Sequence, residues 1–293
     1  MKYLKTHKSN YGWVIYPKPN KQQLSNNAFE MMREMALAND LEIDILFLED
    51  ITISINNGIL DILHKFKEVE KPLFVVMRCY DSNLSRQFEL MGIRVYNSHN
   101  SMNLSQDKIA THQILCNNNI DTPQTYFNID NFQTAKELLG ERFIMKTLNG
   151  SKGEGVFLVD NEKDFNKHEN CLIQEYIEFS SGKDIRVWVI GNKAISAVER
   201  YNDNSYLSNF AQGGSARKVE ITKEIEEIAV KSSLALGLDI SGVDILYKKD
   251  GGFCICEVNA NAGFRTLWNT NKRVNLPNEI FKWVKTTFLK KFL

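Results

Sequence analysis

Apolar runs alternate with amphipathic segments over the first hundred residues of the chain. The apolar runs predict four strands, at residues 11–17, 43–48, 72–78 and 93–97. The segments between them predict three helices: residues 24–38, a short helix that carries Ile59, Ile62, Leu63 and Phe66, and a helix capped by Ser82 and ended by Gly92. Strands that alternate with helices are typical of a parallel sheet with right-handed crossovers, so an α/β domain is predicted here.

After residue 98, hairpins replace the alternation of strands and helices. Helices are predicted near 106–117, 131–139, 221–236 and from 277, and strands at 123–128, 142–147, 155–159 and 171–177. Two strand pairs surround turn residues, at 184–201 around Gly191-Asn192 and at 241–263 around Asp250-Gly251. The polar residues 202–217 predict a long loop. This part of the chain is therefore predicted to be α+β, with antiparallel sheets.

The composition argues against nucleic-acid and membrane partners. The 293 residues allow two domains or one large one. Because 36 basic residues balance 36 acidic ones, there is no support for bulk attraction to nucleic acid or anionic lipid. No apolar run reaches the roughly 20 residues of a membrane span, and the first ten residues lack the apolar region of a signal peptide. Five scattered cysteines suit a reducing compartment, and Cys254 and Cys256 are predicted to be core residues on one strand face. We therefore predict a cytoplasmic protein.

The hairpin at 241–263 carries the most specific chemical signal. A two-residue type I′ turn at Asp250-Gly251 would pair Tyr247 with Cys254 and Asp244 with Glu257. Directly opposed residues have Cβ atoms about 5 Å apart, and like charges at that distance are unfavourable without a proton or a cation between them. The pattern therefore predicts that something positive lies beside the two carboxylates.

A metal ion is the cation that these residues would suit. Asn259, two residues beyond Glu257, points to the same face of the strand and offers a carbonyl oxygen. With Asp244 and Glu257 it makes a set of three oxygen ligands without nitrogen or sulfur, which suits Mg²⁺ or Mn²⁺. The alternative is a bulged hairpin whose acids are exposed on its outer face.

A glycine-rich segment, "NGSKGEG", lies between the strands predicted at 142–147 and 155–159. Its three glycines fit neither the Walker A motif nor the dinucleotide fingerprint, and no helix follows it. The segment is therefore predicted to be a flap over phosphates, with Lys152 on it; a mobile hairpin without a ligand is the alternative. Lys146, among apolar neighbours in the preceding strand, requires an anion. Lys108 could be an ordinary solvated helix residue.

The hairpin at 184–201 adds further charges. Its Gly191-Asn192 turn predicts that Asp184 lies opposite Glu199, and Arg186 shares the strand face of Asp184. Several charged groups on strand faces predict a charged cleft. A solvated sheet face is the alternative.

Taken in order, these segments resemble the ATP-grasp superfamily, and most closely its RimK-like branch of carboxylate–amine ligases, which add glutamate or similar amino acids. The resemblance covers roughly residues 72–288 and rests on a strand lysine followed by "GSKGEGV", "IQEYIE", "DIRVWVIGNKAISAVER", "QGGSA", "GVDIL" and "CEVNANAGF". It implies a pre-ATP-grasp domain at 1–97 and two subdomains with antiparallel sheets that clasp ATP. Subdomain 98–183 would carry the flap, and subdomain 184–293 the metal site.

The resemblance also implies a role for each matching residue. Lys108 and Lys146 would contact ATP phosphates, and Arg186 would lie near the reacting phosphates or the substrate. The nucleotide would further be bound by the flap residues Gly150, Ser151, Lys152, Gly153, Gly155 and Val156, by the adenine hinge Gln174, Glu175, Tyr176 and Ile177, and by Asp184 and Asn209. Asp244, Glu257 and Asn259 would hold the metal, in agreement with the hairpin register.

The chain departs from the family pattern where the substrate is expected. Members often carry arginine at the positions of Leu207 and Gln212, and "EVNASPG" where this chain has "EVNANAG" followed by Arg265. Arg265 is a candidate carboxylate clamp, because a guanidinium makes a two-point match to a carboxylate.

The implied reaction joins a carboxylate donor to an amine acceptor with ATP and Mg²⁺ or Mn²⁺, with two ions expected. The carboxylate would form an acyl phosphate that the amine then attacks. The acceptor is an amino acid, a peptide, a protein tail or a metabolite, and a homo-oligomer is left open. Two alternatives remain: a nucleotide-binding regulatory protein without turnover, and a small-molecule kinase.

Overall fold

The computed structural model of the chain describes residues 10–19, 26–148, 155–208, 213–271 and 273–289. The helices are Asn26–Leu37 (α1), Ser82–Leu90 (α2), His99–Gln106 (α3), Lys108–Asn117 (α4), Phe132–Leu139 (α5), Glu162–Phe165 (α6), Lys223–Ala235 (α7), Arg265–Thr270 (α8) and Leu276–Leu289 (α9). The strands are Tyr11–Tyr16 (β1), Glu42–Phe47 (β2), Ile51–Asn56 (β3), Ile59–His64 (β4), Lys67–Glu68 (β5), Phe74–Met77 (β6), Arg94–Tyr96 (β7), Thr125–Tyr126 (β8), Phe143–Thr147 (β9), Val156–Val159 (β10), Cys171–Glu175 (β11), Lys183–Ile190 (β12), Lys193–Tyr201 (β13), Ser215–Val219 (β14), Ile240–Tyr247 (β15) and Phe253–Asn259 (β16).

The described residues fall into two compact units. The first unit takes its residues from 1–103, 237–240 and 275–293, and the second from 104–236 and 241–274. Helix α9 therefore belongs to the same unit as the first strands. The domain boundaries at residues 97 and 183 stay predictions.

The first unit is built on a parallel sheet in the strand order β2-β1-β6-β7. Trp13, Ile15, Val75 and Met77 alternate along β1 and β6 into one buried core, where the ring of Trp13 meets Phe88 edge-on. Val14, Phe74 and Val76, on the other face of the same strands, are also fully buried, and burial of both faces is the pattern of a parallel sheet covered by other elements. The predicted α/β region is confirmed.

Residues 51–68 form a three-stranded antiparallel meander, β3-β4-β5, so the predicted short helix there is wrong. Asn57 and Gly58 both have positive φ, 49° and 77°, as a type I′ turn requires. This turn pairs Ile53 with Ile62, and Ile62 is fully buried, whereas Phe66 is 84% exposed. The Asn-Gly pair was the missed hairpin signal.

Helix α2 begins one residue earlier than the predicted cap, Ser82, implies. The carboxylate of Asp81 accepts a hydrogen bond from the backbone N–H of Leu84 (2.8 Å), so Asp81 is the cap and Ser82 is the first helical residue. Gly92 follows the helix with a φ of 81°, as predicted for a glycine that ends a helix.

Two sheets form the second unit, in the strand orders β10-β9-β11-β8 and β14-β13-β12-β15-β16. The first is antiparallel throughout and buries Phe143, Met145 and Ile173 on one face. Because side chains alternate along a strand, Lys146 points to the opposite face. The second sheet contains both predicted hairpins, and the α+β prediction for this part of the chain is confirmed.

The hairpin β12–β13 has a bulge that shifts its register. The strands pair as predicted next to the turn, where Ile190 lies opposite Lys193, but the register shifts by one residue after Val189. Because one extra residue enters β13 at this point, Asp184 lies opposite Arg200. The predicted pairing of Asp184 with Glu199 is wrong.

The hairpin β15–β16 also has a bulge, which restores the predicted register at the site. Of the two turn residues only Gly251 has positive φ (90°), so the turn is not of type I′, and Tyr247 lies opposite Phe253 rather than Cys254. An extra residue, Cys256, then shifts the register back. Asp244 and Glu257 are therefore cross-strand partners, as predicted, although the predicted turn was wrong.

Candidate functional site

Two lysines of the second unit face one strand of the neighbouring sheet. Lys146 on β9 is 7% exposed, and its Nζ lies 3.5 Å from the Sγ of Cys256 on β16. Lys108 is the first residue of α4, a helix capped by the carboxylate of Asp107, and its Nζ donates to the carbonyl of Leu148 at 3.4 Å. The structure thus brings both predicted phosphate contacts into one region.

The electrostatics around Lys108 favour a bound anion. Burial lowers the pKa of Lys108, and the nearby ammonium of Lys146 lowers it further, while the carboxylate of Glu257 acts in the opposite direction. Two ammonium groups in a partly buried region repel each other unless an anion balances them. A phosphate chain would supply that balance.

The bulge in β16 gives its two cysteines different surroundings. Cys254 is buried, as predicted, but Cys256 is only partly buried and contacts Lys146. The prediction that both are core residues on one face is therefore wrong for Cys256. The inserted residue breaks the strict alternation of side chains along the strand.

A second cluster consists of two carboxylates and two guanidiniums. Arg186 donates to Asp244 through Nε (2.7 Å to Oδ1) and Nη2 (2.5 Å to Oδ2). Arg200 binds Asp184 through Nε (2.7 Å to Oδ1) and Nη2, and its Nη2 also lies 3.0 Å from Oδ2 of Asp244. These are paired, two-point contacts of the kind that guanidinium and carboxylate groups form most strongly.

Burial and charge act against each other in this cluster. Burial alone would raise the pKa of Asp244, but the guanidiniums of Arg186 and Arg200 outweigh it and hold that pKa below its ordinary value. Burial would likewise lower the pKa of Arg200, but Asp184 and Asp244 raise it. Asp244 is therefore ionised and Arg200 protonated at neutral pH.

Arg200 is a site residue that the sequence analysis missed. Its place opposite Asp184 depends on the bulge in β13, and the register predicted from the Gly191-Asn192 turn did not include a bulge. Glu199 instead pairs with Arg217, whose Nε donates to it at 2.6 Å. An arginine directly after the largely apolar run "AISAVE" was the available signal.

The three predicted metal ligands lie on neighbouring strands of one sheet. Asp244 is opposite Glu257, and Asn259 follows two residues later, opposite Gly242. The Nδ2 atom of Asn259 is buried without a hydrogen-bond partner in the described part of the chain, which is unusual for an amide in a folded protein. No group of three His, Cys, Asp or Glu side chains arranged to hold a metal is found among the described residues. The donor set is therefore two carboxylates and an amide, and its oxygen chemistry fits Mg²⁺ or Mn²⁺.

A buried polar chain ties α4 to the strand before the predicted hinge. The side chain of Gln174 donates from Nε2 to Oγ1 of Thr125 (2.8 Å) and to Nε2 of His112 (3.1 Å). With the amide nitrogen of Gln174 as the donor, the ring proton of His112 is assigned to Nδ1, which has no hydrogen-bond partner among the described residues. Burial, together with the nearby Lys146, lowers the pKa of His112 to about 3. His112, a neutral buried histidine one turn after Lys108, was not identified from the sequence.

Only some of the residues predicted to form the hinge and the flap are described by the structure. Glu175 is exposed, and Tyr176 and Ile177 are partly buried, directly after β11. Both ends of the flap are held: Gly155 accepts from the N–H of Thr147 (2.8 Å), and the carbonyl of Val156 accepts from the hydroxyl of Tyr206 (3.0 Å). Six residues named in the analysis lie outside the described part of the chain: Gly150, Ser151, Lys152, Gly153, Asn209 and Gln212.

Arg265 stands apart from both clusters. It is exposed at the start of α8, and no hydrogen bond or ion pair joins it to the described residues of the site. Its predicted role as a carboxylate clamp stays a prediction.

Comparison with known proteins identifies the family. Residues 105–284 match the model described as the RimK-like ATP-grasp domain. The chain belongs to the RimK-like ATP-grasp family. The predicted family and enzyme class are thereby confirmed: the chain is an ATP-dependent carboxylate–amine ligase.

Two curated relatives of this RimK-like ligase are both named probable alpha-L-glutamate ligase. The protein from Coxiella burnetii (strain Dugway 5J108-111) is 31% identical over 271 residues, which cover 86% of this chain and 89% of the relative. The protein from Parasynechococcus marenigrum (strain WH8102) is 37% identical over 200 residues, which cover 64% of this chain and 43% of the relative. The chain thus spans less than half of that second relative.

A solved structure shows the same fold. The ATP-grasp ligase PsnB, complexed with minimal precursor, Mg and ADP, superposes with a TM-score of 0.71 at 19% identity, covering 97% of this chain and 99% of PsnB. This likeness confirms the predicted ATP-grasp fold of the RimK-like ligase. None of its described helices has both the length and the apolar character needed to cross a membrane.

Proposed function

We propose that this RimK-like ligase activates a carboxylate with ATP as an acyl phosphate and transfers it to an amine, with glutamate or a similar amino acid as one substrate. The observation that carries the proposal is the cross-strand pair Asp244 and Glu257 beside Lys146 and Arg186. Acidic oxygen ligands next to cationic side chains suit a metal–polyphosphate complex.

The proposed mechanism has two balanced steps. A carboxylate oxygen attacks the γ-phosphorus, and the bond from that phosphorus to ADP breaks. The amine nitrogen then attacks the acyl carbon, an amide bond forms, and phosphate leaves as the nitrogen loses a proton. Magnesium, held by Asp244, Glu257 and Asn259 and proposed as two ions, would neutralise phosphate charge.

The chain's own residues would position these reactants. Lys108 and Lys146 would bind phosphate oxygens, and Arg186 would neutralise the charge that develops on the transferred group. Residues 150–156 would cover the acyl phosphate and exclude water, which would otherwise hydrolyse it. Gln174, Glu175, Tyr176 and Ile177 would hold the adenine, and Asp184 and Asn209 the rest of the nucleoside.

Two observations support the substrate class. Curated relatives are named as glutamate ligases, and PsnB was solved with a precursor, so an amino acid and a peptide are the first substrates to test. Arg265, exposed at the start of α8, is proposed to bind a substrate carboxylate in place of the arginines absent at Leu207 and Gln212.

The test is ADP release with ATP and Mg²⁺, measured for single amino acids and for pairs of an amino acid with a peptide, with mass spectrometry of the products. Release that needs both a carboxylate and an amine, with a product heavier by one amino acid less water, is expected. Lys146→Met should abolish it, whereas the exposed Lys163→Met should not. ADP release with one acceptor and a phosphorylated product would instead indicate a kinase, and nucleotide binding without ADP would indicate a regulatory protein.

A further inference from the structure

Asp244, a proposed metal ligand, has both carboxylate oxygens engaged by arginine. Oδ1 accepts from Nε of Arg186 at 2.7 Å, and Oδ2 accepts from Nη2 of Arg186 at 2.5 Å and lies 3.0 Å from Nη2 of Arg200. The residue is 3% exposed. A cation approaching Asp244 would therefore meet two guanidiniums before it met a free oxygen.

The cluster is already electrically balanced. Asp184 and Asp244 carry two negative charges, and Arg186 and Arg200 carry two positive charges. Adding a divalent cation to a balanced, buried group of charges is unfavourable unless further negative charge enters with it. Glu257 supplies one charge, whereas the phosphates of a nucleotide supply several.

The two arginines are held differently. The side chain of Arg200 is 5% exposed and binds both aspartates, whereas that of Arg186 is 18% exposed and binds Asp244. Arg186 is therefore the arginine that can leave with the smaller loss of contacts. Its departure would free Oδ1 of Asp244 while Oδ2 still accepted from Arg200.

We propose that Arg186 is a resident counter-ion of the metal site, which keeps the free metal ion away from Asp244 and releases this carboxylate only when nucleotide phosphates attract the guanidinium. The metal then enters with the nucleotide and not before it. This inference rests on the proposed nucleotide and metal function of the site. It adds the order in which nucleotide and metal bind, and it names Arg186 as the residue that sets this order.

The test uses Mn²⁺ as a probe and measures its binding to the full chain by electron paramagnetic resonance, without any turnover. For the unaltered protein, binding of Mn²⁺ alone is expected to be at least about tenfold weaker than binding in the presence of a non-hydrolysable ATP analogue. Arg186→Met should strengthen binding of Mn²⁺ alone at least about tenfold, because it removes the competing charge.

Arg217→Met is the matched control. It also removes one arginine of the same sheet, but from a side chain that pairs with Glu199 and is 68% exposed. Arg217→Met should leave Mn²⁺ binding unchanged. The double variant Arg186→Met/Glu257→Gln should lose the stronger Mn²⁺ binding expected of Arg186→Met. Thermal unfolding of each variant checks that it is folded.

Three outcomes would overturn the inference: equal Mn²⁺ affinity with and without the analogue, no gain for Arg186→Met over Arg217→Met, or a gain that survives Glu257→Gln. The comparison of Mn²⁺ affinity with and without the analogue uses the unaltered protein, so it applies even if a variant does not fold. Failure of the proposed function looks different, because the ATP analogue itself would then not bind, as measured by calorimetry in the absence of metal.

Discussion

The two hairpins of the five-stranded sheet, β12–β13 and β15–β16, contain one bulge each, with opposite consequences for their acids. In β12–β13 the bulge turns Glu199 away and brings Arg200 opposite Asp184. In β15–β16 the bulge offsets the longer turn and keeps Glu257 opposite Asp244. The first hairpin therefore neutralises its carboxylate internally, whereas the second leaves two carboxylates adjacent.

Burial, rather than the turn, accounts for both registers. Ile185 and Val187 on β12 and Val243 and Ile245 on β15 are buried and alternate with Arg186 and Asp244, so a slip of one residue along either strand would exchange apolar and charged side chains between the two faces. A bulge can correct the strand register, so the apolar face stays buried even when the length of the turn would shift that register. We infer from the comparison that Arg200 of the first hairpin mainly serves stability, whereas Glu257 of the second mainly serves binding.

The largest expected effect comes from breaking the internal pair of the first hairpin. Arg200→Met would leave Asp184 buried without its two-point partner, so we expect a loss of about 3–5 kcal/mol in the free energy of unfolding. Urea unfolding measures it. Arg217→Met, an exposed arginine of the same sheet, should lose under about 1 kcal/mol. Equal losses for the two variants would refute a structural role for Arg200.

The second hairpin should respond in the opposite way to loss of its acid. Glu257→Gln removes a proposed metal ligand and relieves repulsion with Asp244, so turnover should fall about 100-fold or more. Stability should change by less than about 1 kcal/mol. ADP release and urea unfolding give both values, and the exposed Glu227→Gln is the control for turnover. Retained turnover would contradict the assignment of Glu257.

The buried histidine beside these hairpins predicts a dependence of stability on pH. Its pKa is lowered from 6.5 to about 3 in the folded protein, so the unfolded chain binds a proton first as the pH falls. Stability should therefore decrease below pH 6.5, by about 2 kcal/mol between pH 7 and pH 5. The pH dependence of urea unfolding for the unaltered protein and for His112→Leu measures it, and the decrease should be smaller in the variant.

The direct test of that assignment is the nitrogen resonances of His112. They should show a proton on Nδ1 and no titration between pH 5 and pH 8. A midpoint near 6.5 would contradict the lowered pKa.

The smallest effect is expected at the turns, where the two hairpins should behave alike. Gly191 and Gly251 have φ values of 59° and 90°, so Gly191→Ala and Gly251→Ala should each cost about 1 kcal/mol of stability. Neither residue contacts the charged clusters, so ADP release should be unchanged. A loss of turnover in Gly251→Ala alone would show that the turn does set the Asp244–Glu257 register. Urea unfolding and the ligase assay are the measurements.

The sequence was most informative where the pattern is local. The parallel sheet, both hairpins and the facing position of Asp244 and Glu257 followed from periodicity and turn residues. The meander at 51–68 was missed because its apolar residues also fit a helical face, although the Asn57-Gly58 turn was decisive.

The remaining errors concern partners that are distant in sequence or depend on one inserted residue. His112 and Gln174 are 62 residues apart, and nothing in either local pattern indicates their contact. Arg200 takes its position from a bulge that costs little backbone energy and leaves no fixed sequence pattern. Strand pairs could be predicted, but the exact partners within them depended on packing.

The bulge at Cys256 also affects which changes in the length of the β15–β16 turn the chain can tolerate during evolution. Because an inserted strand residue can compensate for a change in turn length, the tip of β15–β16 can gain or lose a residue while the acids keep their places. That tip is therefore a suitable position for grafting a longer loop, or for lineage-specific insertions, without a change to the face that carries Asp244 and Glu257. Relatives that differ at this tip should conserve the acid pair and vary in the residue that stands where Cys256 does.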